Sequence, residues 1–528
     1  MSGRSRRRVI LAVLLVGVLA AEVRSGGGGI PGSVVRAATA DVRIFRGAPA
    51  TFDPVAQSDI GTAQFTAQLF ESLTAFDADL ALRPALAASW DLSDDGRRVV
   101  FHLRPGLRFS DGTPITARDV VESWLRIIDP AQPSGLSALM LGVQGAADHL
   151  AGRSTDPAAV GLAAVGDDVV VDLTGPGGDF PAIVASPTFG VVPAAVWRDG
   201  RTIEVGGFVG SGAYILSAVS ADEVTLAGNP DYWAGPPAIG TVHLLTTIGG
   251  RSPVAAFEAG DVDVIDIAAS DAAWIRYDPT LGPQLRAVPS LSLTYLGFDT
   301  SRPPFDDVRV RRAFGAAVDW RRILPLVISG GQAPADSMVP PGIAGVADHD
   351  WWPVHDPAGA RQLLAEAGYP GGAGFPAVDL AQCCGPGAGA IAADLQAELG
   401  VTVRVVSVVG HFQRLETDPP PMWMLGWVAD YPGANDFLGV LLGTGSSSDY
   451  GRWSSPAFDA AIADALATRD PTVAATAYER ALALVRDDVP VVPLTSSNSW
   501  ALTSTALLGA GENGLGILRL AGLAWSPG

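Results

Sequence analysis

From Asp41 onward the apolar residues of this chain switch repeatedly between a spacing of two and a spacing near 3.6. The first spacing puts side chains on alternate faces of a strand, and the second lines one face of a helix. Val42, Ile44 and Phe45 read as a short strand, and Ile60, Ala63, Ala67, Phe70 and Leu73 then recur at helical spacing. Ser93-Asp94-Asp95-Gly96 is a turn signal between a strand around Trp90 and the run Val99, Phe101, Leu103, which makes a hairpin. Gly166-Asp167-Asp168 precedes a similar run, Val169, Val171, Leu173. A chain that alternates in this way is mixed α/β with local antiparallel pieces.

The second half carries helix start and stop signals. Asp306 or Asp307 caps a helix with the apolar face Val310, Ala313, Phe314, Ala317 and Val318. Arg309, Arg311 and Arg312 fall outside that stripe and read as a solvated face. Asp356-Pro357 pairs an N-cap with Pro at the first helical position; the face Ala360, Leu363, Leu364, Ala367 follows, and Gly368 and Pro370 stop it. Ser455-Pro456 repeats the start signal ahead of Phe458, Ile462 and Leu466. Tyr478, Ala481, Leu482 and Val485 form the next face, ended by Pro490 and Pro493. Residues 371–389, rich in Gly and Pro, read as loop.

Composition removes several kinds of function. Asp and Glu number 55 against 35 basic residues, a net charge of −20, which disfavours nucleic acid or an anionic membrane as partner. There is no lysine, so a P-loop, a Schiff base and a PLP site are all excluded. Any ATP hydrolysis coupled to this protein belongs to another chain. The only cysteines, Cys383 and Cys384, are adjacent. They read as two thiols, with a strained vicinal disulfide as the alternative, and supply neither a disulfide framework nor a zinc site. His349 and His355 are six apart, which suits no pair of metal ligands on one element. No G-x-S-x-G or H-E-x-x-H motif occurs, and the paired Asp residues at 94–95, 167–168, 306–307 and 487–488 look like turns and caps. The sequence therefore predicts no catalytic residue, no metal and no cofactor.

The first 25 residues read as a signal peptide or N-terminal anchor: Arg4, Arg6, Arg7 and Arg8 precede the apolar run Val9 to Ala21, shorter than the roughly 20 residues of a membrane span. The signal is of Sec or twin-arginine type, no lipoprotein cysteine follows it, and residues 26–40 form a linker.

One stretch stands apart. Gly426-Trp427-Val428-Ala429-Asp430-Tyr431 sets a carboxylate beside two aromatics, with Asp436 six residues further on. Asp436 reads as a helix-start or turn residue.

Several segments, taken in order, resemble one family: the solute-binding proteins of ABC importers in the oligopeptide, dipeptide and nickel cluster. They are Leu82 to Pro130 (with FSDGTPITARDV inside it), GSGAYIL from Gly210, NPDYWAGPPAIGTV from Asn229, FEAGDVDV from Phe257, Gly297 to Ile323, and ARQLLAEAGYPGG from Ala360. The resemblance implies a two-lobed periplasmic-binding-protein-like α/β fold (type II, cluster C) that closes on ligand. It implies a discontinuous lobe I at 41–72, 205–275 and 490–528, an extra subdomain at 73–204 and a lobe II at 276–489. It implies a monomeric, exported receptor, at the cell surface, in the periplasm or outside the cell. That receptor delivers a peptide or peptide-like solute to membrane permease subunits, with the ATPase on a separate chain. It touches the membrane only through the permease or an uncleaved anchor. A nickel-chelate or other non-peptide solute is the alternative within the family, and a secreted hydrolase the alternative outside it.

In peptide-binding members the G-W-x-x-D motif pairs its Asp with the ligand's ammonium. Carried over, this assigns Asp430 as counter-ion and Trp427 as a cation–π wall, with Gly426 and Tyr431 beside them. Backbone contacts are expected at Gly210, Ser211, Gly212 and Tyr214 and near Thr51 and Asp53. The chain departs from dipeptide binders at Ala381 to Ala390, which holds no arginine for a ligand carboxylate.

Overall fold

The computed structural model describes residues 41–527 apart from 58, 195–206, 328–331, 344–352, 383–386, 409 and 469. The leader, His349 and the cysteine pair lie outside the described residues.

The local signals work as capping chemistry requires. Asp307 accepts from the Arg309 N–H at the start of the helix Val308–Ala317. Asp356 accepts from Gly359 N at 2.9 Å ahead of Pro357–Glu366. Ser455 accepts from Phe458 N ahead of Pro456–Leu466. The helix Pro471–Asp488 has its own cap, Asp470, which the periodicity had not revealed. In the ITARDV stretch Thr116 and Asp119 form a reciprocal capping box, with Thr116 N donating to Asp119 Oδ2 at 2.9 Å.

Three expectations change. The helix near residue 60 ends at Leu69, and its buried face runs through Thr62, Ala63, Phe65, Thr66 and Leu69 while Ile60 is exposed. Thr66 and Gln68 can be buried there because their side chains donate to backbone carbonyls, among them Leu518 O. Residues 371–389 are not all loop: Val378–Gln382 is a strand paired with Val403–Ser407 and Met422–Val428. Arg311 is not solvated but 4% exposed. Its guanidinium donates to Phe305 O at 2.7 Å and Asp488 O at 2.9 Å, tying two helices together.

The strands form one long mixed sheet. Its order is Val403–Ser407, Val378–Gln382, Met422–Val428, Ser292–Phe298, Val491–Thr503, Val264–Asp266, Val42–Phe45, Thr241–Leu245, Glu223–Gly228 and Tyr214–Val219. Val491–Thr503 connects its halves. Its first residues pair with Ser292–Phe298, and its last pair with Leu285–Pro289 and Val264–Asp266. The neighbouring segment, from Leu285–Pro289 into Ser292–Phe298, crosses in the opposite direction. Two antiparallel crossings therefore join the halves.

A separate antiparallel sheet, Ala87–Leu92, Arg98–Leu103, Asp168–Asp172 and Leu162–Val165, carries the expected hairpin with Trp90 opposite Phe101. Its inner face packs on Trp124, whose ring meets Phe101, Phe180 and Phe189 edge-on. Each such pair contributes about 0.5–1.5 kcal/mol beyond area burial. Further cores lie under each half of the long sheet, one around Phe65, Tyr214 and Trp525 and others around Trp423, Phe437 and Phe314.

Candidate functional site

Met422–Val428 lies between two strands at its start and beside only one at its end. Met422 and Trp423 pair with Leu380 and Ala381, whereas the whole strand pairs with Ser292–Phe298. Beyond Trp423 the second edge is paired to no strand among the described residues. Burial follows the pairing: Met422 to Leu425 are buried, Gly426 and Val428 are exposed, and Trp427 is half-buried. The chain then turns through Asp430 and Pro432 into the short helix Ala434–Phe437.

That turn brings Asp436 back against the strand end. Trp427 Nε1 donates to Asp436 Oδ2 at 2.8 Å, and Asp430 N lies 3.4 Å from the same oxygen. Asp436 is 0% exposed, and its Oδ1 has no hydrogen-bond partner. The residue expected at a helix start or turn does lie in the first turn of the helix Ala434–Phe437, and it is also the buried acceptor that organises the motif. Its only sequence signal was its place six residues beyond Asp430. Tyr431 is equally buried and donates its hydroxyl to Asp179 Oδ2 at 2.5 Å; Asn435 Nδ2 donates to that oxygen at 2.9 Å. Asp179 comes from the segment that carries the separate sheet, and it was not among the expected site residues.

Three carboxylates therefore share one region, and no described basic side chain forms an ion pair with any of them. Burial raises Asp430 to about 6. Burial raises Asp436 well above the usual carboxylate range, and the charges of Asp430 and Asp179 add to it. Burial also raises Asp179, against the opposing hydrogen bonds from Tyr431 and Asn435. The half-buried Asp430 carboxylate accepts no hydrogen bond from any described group. An anion held in this way is a ready counter-ion for a small cation brought in from solvent.

The other expected contact residues are occupied within the protein. Gly210 exchanges hydrogen bonds with Ser110, its N–H reaching Ser110 Oγ at 3.1 Å and its carbonyl accepting Ser110 N at 2.9 Å. Ser211 Oγ donates to Val191 O at 2.7 Å and accepts from Glu71 N at 2.9 Å. Gly212 N donates to Leu69 O, and a Cβ on Gly212 would lie 2.3 Å from Gln68 O. Tyr214 is 0% exposed and donates to Ile239 O at 3.0 Å. Thr51 Oγ1 accepts from Asp53 N, and Asp53 Oδ2 accepts from Arg126 at 2.5 Å. Of the expected residues, Trp427, Asp430 and Tyr431 are drawn into the acid cluster, and Gly426 precedes them on the exposed end of the strand. A cavity of about 490 Å³ beside Leu415, Thr444, Asp449 and Trp453 is lined by none of them.

Residues 81–449 match the family described as bacterial extracellular solute-binding proteins, family 5 Middle. The chain belongs to this family. Among curated family-5 relatives it is 29% identical to the probable deoxycholate-binding periplasmic protein YgiS of Escherichia coli over 84% of this chain and 86% of that protein. It is 28% identical to the periplasmic oligopeptide-binding protein OppA of Salmonella typhimurium, over 94% of each. Among solved structures, the unliganded open form of the periplasmic murein tripeptide binding protein MppA superposes with a TM-score of 0.79 at 25% identity, covering 94% of this chain and 99% of that one. The family-5 resemblance read from the motifs and the two-lobed α/β fold it implied are both borne out. The matched family consists of binding proteins, and its curated relatives named here are periplasmic. No described helix is long and apolar enough to cross a membrane.

Proposed function

We propose that this solute-binding protein captures a peptide or peptide-like solute with a free amine in the cleft between its lobes and delivers it to an ABC permease. The observation that carries this reading is the open strand edge at Gly426–Val428, which leads directly into the unpartnered carboxylate of Asp430. An extended peptide can add to such an edge by backbone hydrogen bonds common to all sequences. Its terminal ammonium then meets Asp430, with the Trp427 ring as apolar wall and cation–π face. The direct contact set is Gly426, Trp427, Val428 and Asp430. Tyr431, Gly210, Ser211, Gly212, Thr51 and Asp53 hold the surrounding walls, and Tyr214 supports them from the core.

The lobes are those drawn from the family pattern, with the crossings at 285–298 and 491–503 as the hinge and the sheet-bearing segment 73–204 riding on lobe I. Export uses the N-terminal segment as a Sec or twin-arginine signal without a lipid anchor. The receptor acts as a monomer and performs no covalent chemistry, and ATP hydrolysis resides on a partner chain.

Recognition is one-ended. Arg404 bonds Asp379 at 2.7 Å and Arg414 bonds Asp418 at 2.7 Å, so the first two arginines after the arginine-free loop in sequence are already paired at the surface. This favours a longer peptide over a free dipeptide. It also supports a second reading, an amine-bearing solute that is not a peptide.

A thermal-shift screen decides between them, because a ligand that binds only the folded state raises Tm. Peptides with free amino termini are expected to raise it and their N-acetylated forms are not. No shift with any peptide selects the second reading. Asp430→Asn is expected to weaken binding of a responding peptide by about 2–5 kcal/mol. An unchanged calorimetric affinity removes Asp430 from the site.

A further inference from the structure

We propose that Asp436 is a positioning residue for amine recognition: its Oδ2 holds the Trp427 indole and the backbone N–H of Asp430 in the arrangement that receives the ligand's ammonium. This rests on the reading of Asp430 and Trp427 above.

Two groups from one binding motif converge on this oxygen. The indole N–H approaches at 2.8 Å and the Asp430 N–H at 3.4 Å. Both belong to the segment after the strand edge opens, where no strand among the described residues restrains them on one side. Trp427 is half-buried, with its ring packed against the core around Trp423 and Phe437. That packing is non-directional, and the hydrogen bond to Asp436 adds the directional restraint that fixes the indole N–H. Asp436 supplies it from a fully buried position on the short helix Ala434–Phe437, whose neighbours Phe437 and Leu438 belong to the core. The helix is in turn fixed from the other side, where Asn435 and Tyr431 both donate to Asp179. The titratable groups facing Asp436 are Asp430, Asp179 and Tyr431, with Tyr478 behind Tyr431, and none is basic. The free Oδ1 lacks an acceptor or donor of its own. An amide in place of the acid can therefore keep the Oδ2-type bond to Trp427, whereas an apolar side chain cannot.

The test uses the whole protein labelled with 5-fluorotryptophan, with the Trp427 ¹⁹F signal identified by Trp427→Phe, and with trialanine and N-acetyl-trialanine as probes. Asp436→Asn is expected to leave the Trp427 signal in place and trialanine affinity within about threefold, as for a change that keeps the hydrogen bond. Asp436→Leu or Asp436→Ala is expected to move the signal and weaken trialanine binding about tenfold, the scale of one lost hydrogen bond. The preference for trialanine over its acetylated form should shrink at the same time. Combining either with Trp427→Phe should give less than the sum of the single losses, since both act through one contact.

A residue that served folding alone would lower Tm and leave affinity, amine preference and additivity untouched, and that result overturns the proposal. If neither apolar variant folds, Trp427→Phe decides: an undiminished preference for the free amine overturns it. If the unaltered protein binds neither probe, the peptide reading fails by itself. The ligand-free spectrum then judges Asp436, and an unmoved Trp427 signal in Asp436→Leu overturns its role.

Discussion

The hydroxyl of Tyr431 donates to Asp179 Oδ2 at 2.5 Å, joining residues 252 apart in sequence. Through this bond the segment with the separate sheet supports the stretch that bears Asp430. A second link lies close by, from Gly178 N to Leu466 O at 2.9 Å.

Tyr431→Phe removes that donor and leaves the half-buried Asp179 carboxylate with Asn435 alone. Losing one hydrogen bond to a carboxyl group costs about 1–3 kcal/mol. Chemical denaturation should show a loss of that size, and Tyr431→Phe combined with Asp179→Asn should be less destabilising than the two single changes added together. Strict additivity would show that the bond carries no energy.

Peptide affinity should depend on acid. Asp430 titrates near 6 because burial disfavours its charge. Above that pH it is ionised and binds an ammonium; below it affinity should fall by up to about tenfold per pH unit. Calorimetry of trialanine between pH 4.5 and 8 checks this expectation. In Asp430→Asn the curve should be flat and the affinity weak throughout.

Stability of the ligand-free protein should run the opposite way with pH. Asp430 is raised to about 6, and Asp449 and Glu512 to about 7, each chiefly by burial. Their unfolded values lie near 3.9 and 4.3. Between those limits the folded state binds more protons, so stability is greatest below the unfolded values and declines as pH rises through 6 to 7. The pair formed by His102 with Asp91 and Asp168, which raises the imidazole, adds in the same direction. Thermal melts are expected to give a higher Tm at pH 5.5 than at pH 8. A rise in Tm with pH across that window would contradict the assignment of these groups.

Gly212 is expected to be intolerant of a side chain. Its Cβ position lies 2.3 Å from Gln68 O, at the end of the helix Ile60–Leu69. Gly212→Ala should destabilise folding by about 1–3 kcal/mol through overpacking. At Gly235, where a Cβ would meet nothing within 4 Å, the cost should come from its positive φ alone, about 1 kcal/mol. Paired urea titrations compare the two.

Much of this was legible from local sequence. The caps at Asp307, Asp356 and Ser455 and the turns at Gly96 and Gly166 need only a few neighbouring residues to satisfy their hydrogen bonds. The motif at 426–430 was legible as an acid beside an indole. What it did not reveal was the partner of each group. Nothing local to Gly210, Ser211, Gly212 and Tyr214 signals their bonds to Ser110, Val191, Leu69 and Ile239.

By itself the sequence determined the α/β alternation, the capped helices and the presence of an acidic, aromatic motif in a lysine-free chain, because those properties follow from spacing and residue chemistry. Only the tertiary structure decided that Arg311 is buried, that Val378–Gln382 is a strand inside a Gly- and Pro-rich stretch, and that Asp436 and Asp179 brace the motif. Burial and strand pairing depend on which distant segments pack together. A carboxylate that reads as a helix-start or turn residue becomes a buried acceptor as well once an indole and its own short helix pack into the core.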